Sequence, residues 1–364
     1  MMSASKKSTA HDSALRYCAQ PPRAPRAFDA TVHPQRVRAI TNSDKKWVNG
    51  TQLTYHMFSS TSTQVPRSWR GIDADLVAVR KAFDTWAKIG LGITFREVPR
   101  PEDAMIRIGF DSSDGSWSFV GRDVLDERNP LLRTMNFGWP LTTAYGADTA
   151  LHEIGHTLGL EHEHQNPFAG ITWNEAAVRA YFRNPPNSWD DRTIDWNILR
   201  KISSAEVKGT TWDPDSVMEY QFDAGLILAP ANYSNGLKPK GGLSKPDKIW
   251  VASSYPGTKP SEALTALVPA KSVLLAIAAG ETRTFSFKPP RTRTYRIGSF
   301  GTADTLLVLF EAAPTGNVQI AGDDDSGADR NALITMRLVA GREYVVGIRL
   351  YYAESAAETS LMVW

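Results

Sequence analysis

His152-Glu153-Ile154-Gly155-His156-Thr157-Leu158-Gly159-Leu160-Glu161-His162 is the stretch that decides how this 364-residue chain is read. Residues four apart on a helix stand one above the other, so the rings of His152 and His156 can address a single ion. Glu153 lies about 100° further round the helix, near enough to hydrogen-bond a water at that ion without ligating the ion itself. Gly159 can adopt the left-handed conformation that ends a helix, which lets the chain turn and return His162 as a third ligand. Ala147, Leu151, Ile154 and Leu158 are expected to be the buried stripe of this helix. Three imidazoles leave a fourth position for water, the arrangement of a catalytic rather than a structural zinc site. Zinc would acidify that water, and Glu153 would accept its proton during attack on a carbonyl. Cobalt or manganese could occupy the same donors. A polar helix face with solvated histidines is the bland alternative. It needs five fixed positions to coincide by chance in a chain with only seven histidines.

Working outward, the composition is that of an ordinary soluble protein, 42% hydrophobic and 22% charged. A net charge of +2 gives no reason to expect a nucleic-acid partner. The longest aliphatic run, Val273 to Ala279, is far too short to span a bilayer, and no apolar run follows Lys6 and Lys7 to make a secretory signal. The single cysteine, Cys18, excludes an internal disulfide and any Cys-based zinc cluster.

The chain is too long for one comfortable core, and two domains after an N-terminal arm are expected. Residues 1–40 are polar and lack periodicity, and read as an arm or propeptide, not a packed element. In 41–258, Leu53, Tyr55 and Met57 alternate with Gln52, Thr54 and His56, predicting a half-buried strand. A helix is predicted from an N-cap at Asp73 to Gly90, its apolar stripe being Leu76, Val79, Phe83 and Trp86. Strands follow at 93–98, 105–110, 117–120 and 134–137. This order suggests a mixed sheet with helices packed on it, an α+β catalytic domain. About eighty irregular residues follow the histidine helix, closed by a short helix over 244–254. From 263 to 364, short alternating segments such as Phe285/Phe287, 306–310 and Tyr344/Val346/Ile348/Leu350 predict a β-sandwich.

The histidine stretch resembles the zinc-binding consensus of the metzincin clan of metallopeptidases. That resemblance implies a mixed twisted sheet plus helices, one catalytic Zn2+, and a peptide or protein substrate. Ser216-Val217-Met218-Glu219-Tyr220 resembles the clan's Met-turn. By that likeness Met218 is an apolar base under the metal site, and Tyr220 reaches the metal or the tetrahedral intermediate, as in astacins and serralysins. Glu163 resembles the astacin glutamate that helps hold the mature N-terminus, with a surface acid as the equal alternative. His164 lies outside the ligand spacing and is expected beside the ligands or solvated. The substrate is expected to lie antiparallel to an edge strand formed by Ser116, Trp117, Ser118, Phe119 and Val120. A lone cysteine and the continuation His164-Gln165-Asn166-Pro167 depart from astacins, and on these grounds the chain reads as astacin-like but outside the astacin family proper.

The C-terminal segment resembles the bacterial pre-peptidase C-terminal domain through Gly301–Leu306, Asp323-Asp324-Asp325-Ser326-Gly327 and Ala340–Tyr344. This implies secretion, although no export route is legible. The clustered acids read either as a Ca2+ site or as an acidic turn. Arg16-Tyr17-Cys18-Ala19-Gln20-Pro21 resembles in part the latency motif of matrixins, whose propeptide thiolate fills the open zinc position. Cys18 is therefore a candidate zymogen switch. The whole reads as a monomeric, secreted zinc endopeptidase. The alternatives are a surface-binding protein with a vestigial site and a toxin or effector peptidase of narrow specificity.

Overall fold

The computed structural model describes residues 15–22, 45–47, 49–202, 211–256, 264–313, 316–351 and 356–364. Strands β1 (Gln52–Met57), β2 (Thr94–Glu97), β3 (Ile106–Gly109), β4 (Trp117–Ser118) and β5 (Met135–Asn136) form one sheet, in the order β2-β1-β3-β5-β4. All pairings are parallel except β4 with β5, which leaves β4 as an antiparallel edge strand. β1 is buried along its whole length, not half-buried. It is an interior strand, and its polar face is covered too: Thr54 Oγ1 donates to Asp103 O at 2.8 Å, and His56 Nδ1 lies 3.0 Å from Val98 O. Alternation reports which face each side chain takes, but not whether a second layer covers that face.

Helix α1 (Asp73–Ala87) packs on this sheet through the expected Leu76, Val79, Phe83 and Trp86. The Phe83 ring stacks on Tyr55 at 4.0 Å, and Trp86 Nε1 donates to Leu151 O at 3.1 Å, joining α1 to the histidine helix. Burying side chains of this size stabilises the unit by about 2–3 kcal/mol each. Ile72 is the N-cap residue and makes no side-chain cap, so Asp73 sits in the first turn, where its charge meets the positive end of the helix.

The stretch after the histidine helix holds more regular structure than its sequence promised. Helix α2 (Ala144–Thr157), which bears the histidines, is followed by α3 (Glu175–Arg183), α4 (Asp191–Ile194) and a two-stranded pair, β6 (Thr172–Trp173) with β7 (Ile227–Ala229). Asn174 caps α3 by accepting from Ala177 N, and Val178 and Phe182, four apart, are its buried face. The closing helix α5 (Lys245–Ser254) starts at Ser244 as expected, with a full capping box to Asp247.

The C-terminal residues form the expected β-sandwich. Strands β8 (Thr265–Ala266), β9 (Val273–Ile277), β10 (Thr282–Phe287), β11 (Arg293–Phe300), β12 (Thr305–Ala313), β13 (Gly316–Asp323), β14 (Leu333–Leu338), β15 (Tyr344–Leu350) and β16 (Ala357–Val363) make two sheets, β13-β12-β15-β10-β8 and β14-β11-β16-β9. Phe285, Phe287, Ile297, Leu307, Leu309, Val346, Ile348 and Leu361 fill the space between them. The Asp323 carboxylate accepts from Ser326 N at 3.0 Å and Leu333 N at 2.7 Å, which is how an acidic turn is organised. The sandwich touches the first unit where Thr51 Oγ1 donates to Gln319 Oε1 at 3.3 Å.

Candidate active site

Helix α2 begins at Thr143, whose hydroxyl accepts from Gly146 N at 2.9 Å. It ends at Gly159, which takes a φ of +89°. Gly159 N donates to His156 O at 2.8 Å and Leu160 N to Gly155 O at 3.1 Å, the paired bonds of a Schellman stop. The turn that returns His162 is therefore built by that glycine. The buried stripe is shifted from the expected one: Ala150, Ile154 and Leu158 are buried, Leu151 is partly so, and Ala147 is exposed. The reason is that the histidine face is buried as well, which rotates the apolar sector.

Three imidazoles converge. His152 and His156 ring centroids lie 4.7 Å apart, and His156 Nε2 is 3.1 Å from His162 Nε2. His152 Nδ1 contacts Val217 O and His156 Nδ1 contacts Leu160 O, both at 2.8 Å. These carbonyls fix the ring orientations and leave both Nε2 atoms as the inward lone pairs. Burial drives the imidazoles toward their neutral form, well below the usual range for His152 and His162 and to about 4 for His156. Neutral imidazole is the form that ligates.

The expected Met-turn packs against the histidine helix. Met218 Sδ would stand 2.5 Å from a Cβ placed at Gly155, so any larger residue there would displace the sulfur. Glu163 N donates to Met218 O at 3.0 Å, tying the third histidine's segment to the turn. Asp247, at the start of α5, accepts from Ser216 Oγ at 2.6 Å and from Val217 N at 2.9 Å. Neither Gly155 nor Asp247 was singled out by the sequence reading. Asp247 could have been flagged as a capping-box acid, but its reach to the Met-turn could not.

Tyr220 joins the cluster, its hydroxyl 2.9 Å from His162 Nε2. His164 is not solvated: it is buried, stacked on His162 at 5.4 Å, with Nε2 2.8 Å from Asn197 O. Glu163 is no surface acid. It accepts from Asp213 N at 3.0 Å, and burial raises its pKa to about 7. It lines a cavity of about 980 Å³ that also reaches Lys45, Glu161, Trp250 and Arg349.

The N-terminal arm was expected not to pack, yet residues 15–22 lie in the cleft, with Tyr17, Cys18 and Gln20 buried. Cys18 pairs in parallel with Ser116, and Ala19 N donates to Ser116 O at 2.9 Å, so the arm adds to the strand edge next to β4. The Cys18 thiol is 3.5 Å from Glu153 Oε2 and 3.6 Å from His156 Nε2, and its carbonyl accepts from the Tyr220 hydroxyl at 2.6 Å. Burial, then the neighbouring Glu153, push the thiol pKa up, and burial raises that of Glu153. A bound cation would reverse both tendencies.

These residues fit zinc. One donor atom each from Cys18, His152, His156 and His162 lie within 4.8 Å of one another. His152 Nε2 and Glu153 Oε1 are buried with no protein partner. Among the described residues, no helix is long and apolar enough to cross a membrane.

The sequence profile of the astacin peptidase family matches residues 39–226. A serralysin from Photorhabdus sp. (strain Az29) is 32% identical over 123 residues, which is 30% of this chain and 25% of the serralysin. The chain thus matches about a quarter of that relative's length. The solved structure of myroilysin is 28% identical and superposes with a TM-score of 0.52, over 60% of this chain and 98% of myroilysin. The pre-peptidase C-terminal domain of a collagenase from Bacillus anthracis aligns with 29% of this chain and 99% of that domain, at 14% identity and a TM-score of 0.25. A likeness that weak adds nothing to the two sheets themselves, which make the sandwich.

Proposed function

Because this chain belongs to the astacin family of peptidases, we propose that it is a zinc-dependent endopeptidase held latent by its own N-terminal segment. The lone cysteine and the His164–Pro167 continuation, which argued for a place outside the family, are variation within it. The observation that carries the reading is the convergence of three imidazoles and Glu153 on one thiol.

His152, His156 and His162 would hold the metal. Zinc supplies, when bound, the Lewis acidity that acidifies a water and polarises the scissile carbonyl. Glu153, beside the position of the Cys18 sulfur, takes the proton of the attacking water and passes it to the leaving nitrogen. Tyr220 already donates to a peptide carbonyl, that of Cys18, and would donate likewise to the oxyanion as a substrate carbonyl becomes tetrahedral. Met218 gives the three rings an apolar floor.

Cys18 blocks the site, because its sulfur stands where the water must be. A substrate would take the Ser116–Val120 edge in antiparallel fashion, whereas the arm runs parallel to it. The reversed direction turns the Cys18 side chain, and not a peptide carbonyl, toward Glu153, while Tyr220 holds the Cys18 carbonyl. Glu163, facing the cavity, is the group to receive the new chain terminus once the arm is cut away. We assign catalysis to 41–258 and a separate supporting role to 263–364; the boundary at 258–263 falls outside the described residues. Latency of this kind suits a secreted enzyme.

The test is metal content together with peptide cleavage. The protein should carry about one zinc per chain and, once the arm is removed, cut a peptide library in a chelator-sensitive way. His156→Ala should lose both properties. Full zinc occupancy in that variant would end the ligand assignment.

A further inference from the structure

The arm carries a second buried side chain whose seat lies beyond the metal ligands. Tyr17 is 3% exposed, and its ring centroid lies 4.8 Å from Phe182, 5.3 Å from Tyr220, 6.2 Å from both Tyr181 and Phe222, and 6.4 Å from Trp189. Phe182, Tyr181 and Trp189 meet it edge-on, at 63°, 80° and 69°, while Phe222 is nearly parallel at 25°. Edge-to-face and offset contacts of this kind favour an aromatic guest over an aliphatic one of equal area. At the far end the Tyr17 hydroxyl donates to the Tyr181 hydroxyl at 3.4 Å.

The backbone beside this seat is gripped as a substrate strand would be. Asn187 Oδ1 accepts from Tyr17 N at 3.2 Å, and Asn187 Nδ2 donates to Leu15 O at 3.1 Å. One side-chain amide thus reads both a main-chain donor and a main-chain acceptor, whatever the side chains between them. The arm is held on its other side by Ser116 O. Trp189 is fixed in turn by its backbone N, which donates to Phe182 O at 2.9 Å.

We propose that this aromatic-walled pocket is the specificity subsite for the substrate residue that directly follows the cleaved bond, and that it selects Tyr and Phe there. The inference rests on the peptidase reading above. Its direction follows from the pairing. The arm runs parallel to the edge strand, with Cys18 at the metal ligands and Tyr17 one residue before it. A substrate running the opposite way, its carbonyl at the metal ligands, brings its next residue into the seat of Tyr17. An acidic side chain is disfavoured there, since the Asp223 carboxylate lies near enough to Tyr181, at the polar end of the pocket, to add to burial in pushing that hydroxyl's pKa up, and would repel it.

The experiment uses the full-length, zinc-loaded Cys18→Ser protein and a peptide library, with cut sites read by mass spectrometry. Tyr and Phe should dominate the position after the cut. A matched pair of peptides with Tyr or Asp at that position should differ about 10- to 100-fold in kcat/KM. Trp189→Ala should collapse that ratio, and Trp189→Phe should restore most of it. Cleavage with no aromatic enrichment there, or a ratio indifferent to Trp189→Ala, overturns the subsite and leaves the peptidase reading intact. A second measurement needs no turnover. In the chain with Cys18 intact, Tyr17→Phe should keep the thiol shielded from a disulfide reagent, while Tyr17→Ala and Tyr17→Asp should react at least roughly tenfold faster. If no peptide is cut at all, the peptidase reading fails, and the thiol rates alone decide whether the pocket selects an aromatic ring. Equal rates for Phe, Ala and Asp would refute it.

Discussion

Replacing Asp247 by alanine should unfasten the floor of the metal site from a distance. Its carboxylate accepts three hydrogen bonds, from Ser216 Oγ at 2.6 Å and from Val217 N and Ser244 N at 2.9 Å. The residue is 4% exposed, so Asp247→Ala leaves two backbone N–H groups and a hydroxyl short of partners. Each buried orphan donor costs about 1–3 kcal/mol. Water can reach the half-buried Ser244 end, which brings the sum to about 4 kcal/mol. Asp247→Asn keeps one acceptor oxygen and should cost about half as much. The effect should reach the metal, because the carbonyl of Val217 orients His152 at 2.8 Å. Loosening such an outer partner weakens metal affinity about 10- to 100-fold. Urea unfolding read by tryptophan fluorescence isolates the relevant unit, since every tryptophan except Trp364 precedes residue 257. Free zinc must be buffered at one concentration, because lost affinity alone lowers apparent stability. An Asp247→Ala protein within about 1 kcal/mol of the parent, or equal to Asp247→Asn, would refute the reasoning.

Glu153→Gln should bind zinc normally yet cleave at least roughly 10²-fold more slowly, as the loss of a general base requires; loss of metal in that variant would make Glu153 structural. Tyr220→Phe, assayed with the arm removed, should keep zinc and stability but lower kcat with little change in KM, and an unchanged kcat would reduce the tyrosine to packing. Cys18→Ser should make the full-length chain active without processing, since a hydroxyl is a far weaker zinc ligand than a thiolate. Equal activity of the two proteins at equal zinc occupancy would rule the latency switch out.

The sequence by itself determined what depends on near neighbours. The spacing His152, Glu153, His156 and the stop at Gly159 follow from helical periodicity and one positive φ, and they place three rings and a carboxylate before any packing is known. The stripe of α1 and the alternating strands of the sandwich were legible for the same reason. Tertiary structure decided everything carried by contacts between distant parts of the chain. Only the fold could show that β1 is covered on both faces, that Ala147 is exposed because the histidine face is buried, and that Asp247 holds the Met-turn. The arm is the sharpest case. Residues 15–22 have no periodicity of their own and are ordered by a sheet edge, an aromatic wall and a ring of imidazoles. Those partners lie about a hundred residues or more along the chain, and local patterning carries no record of contacts at that separation.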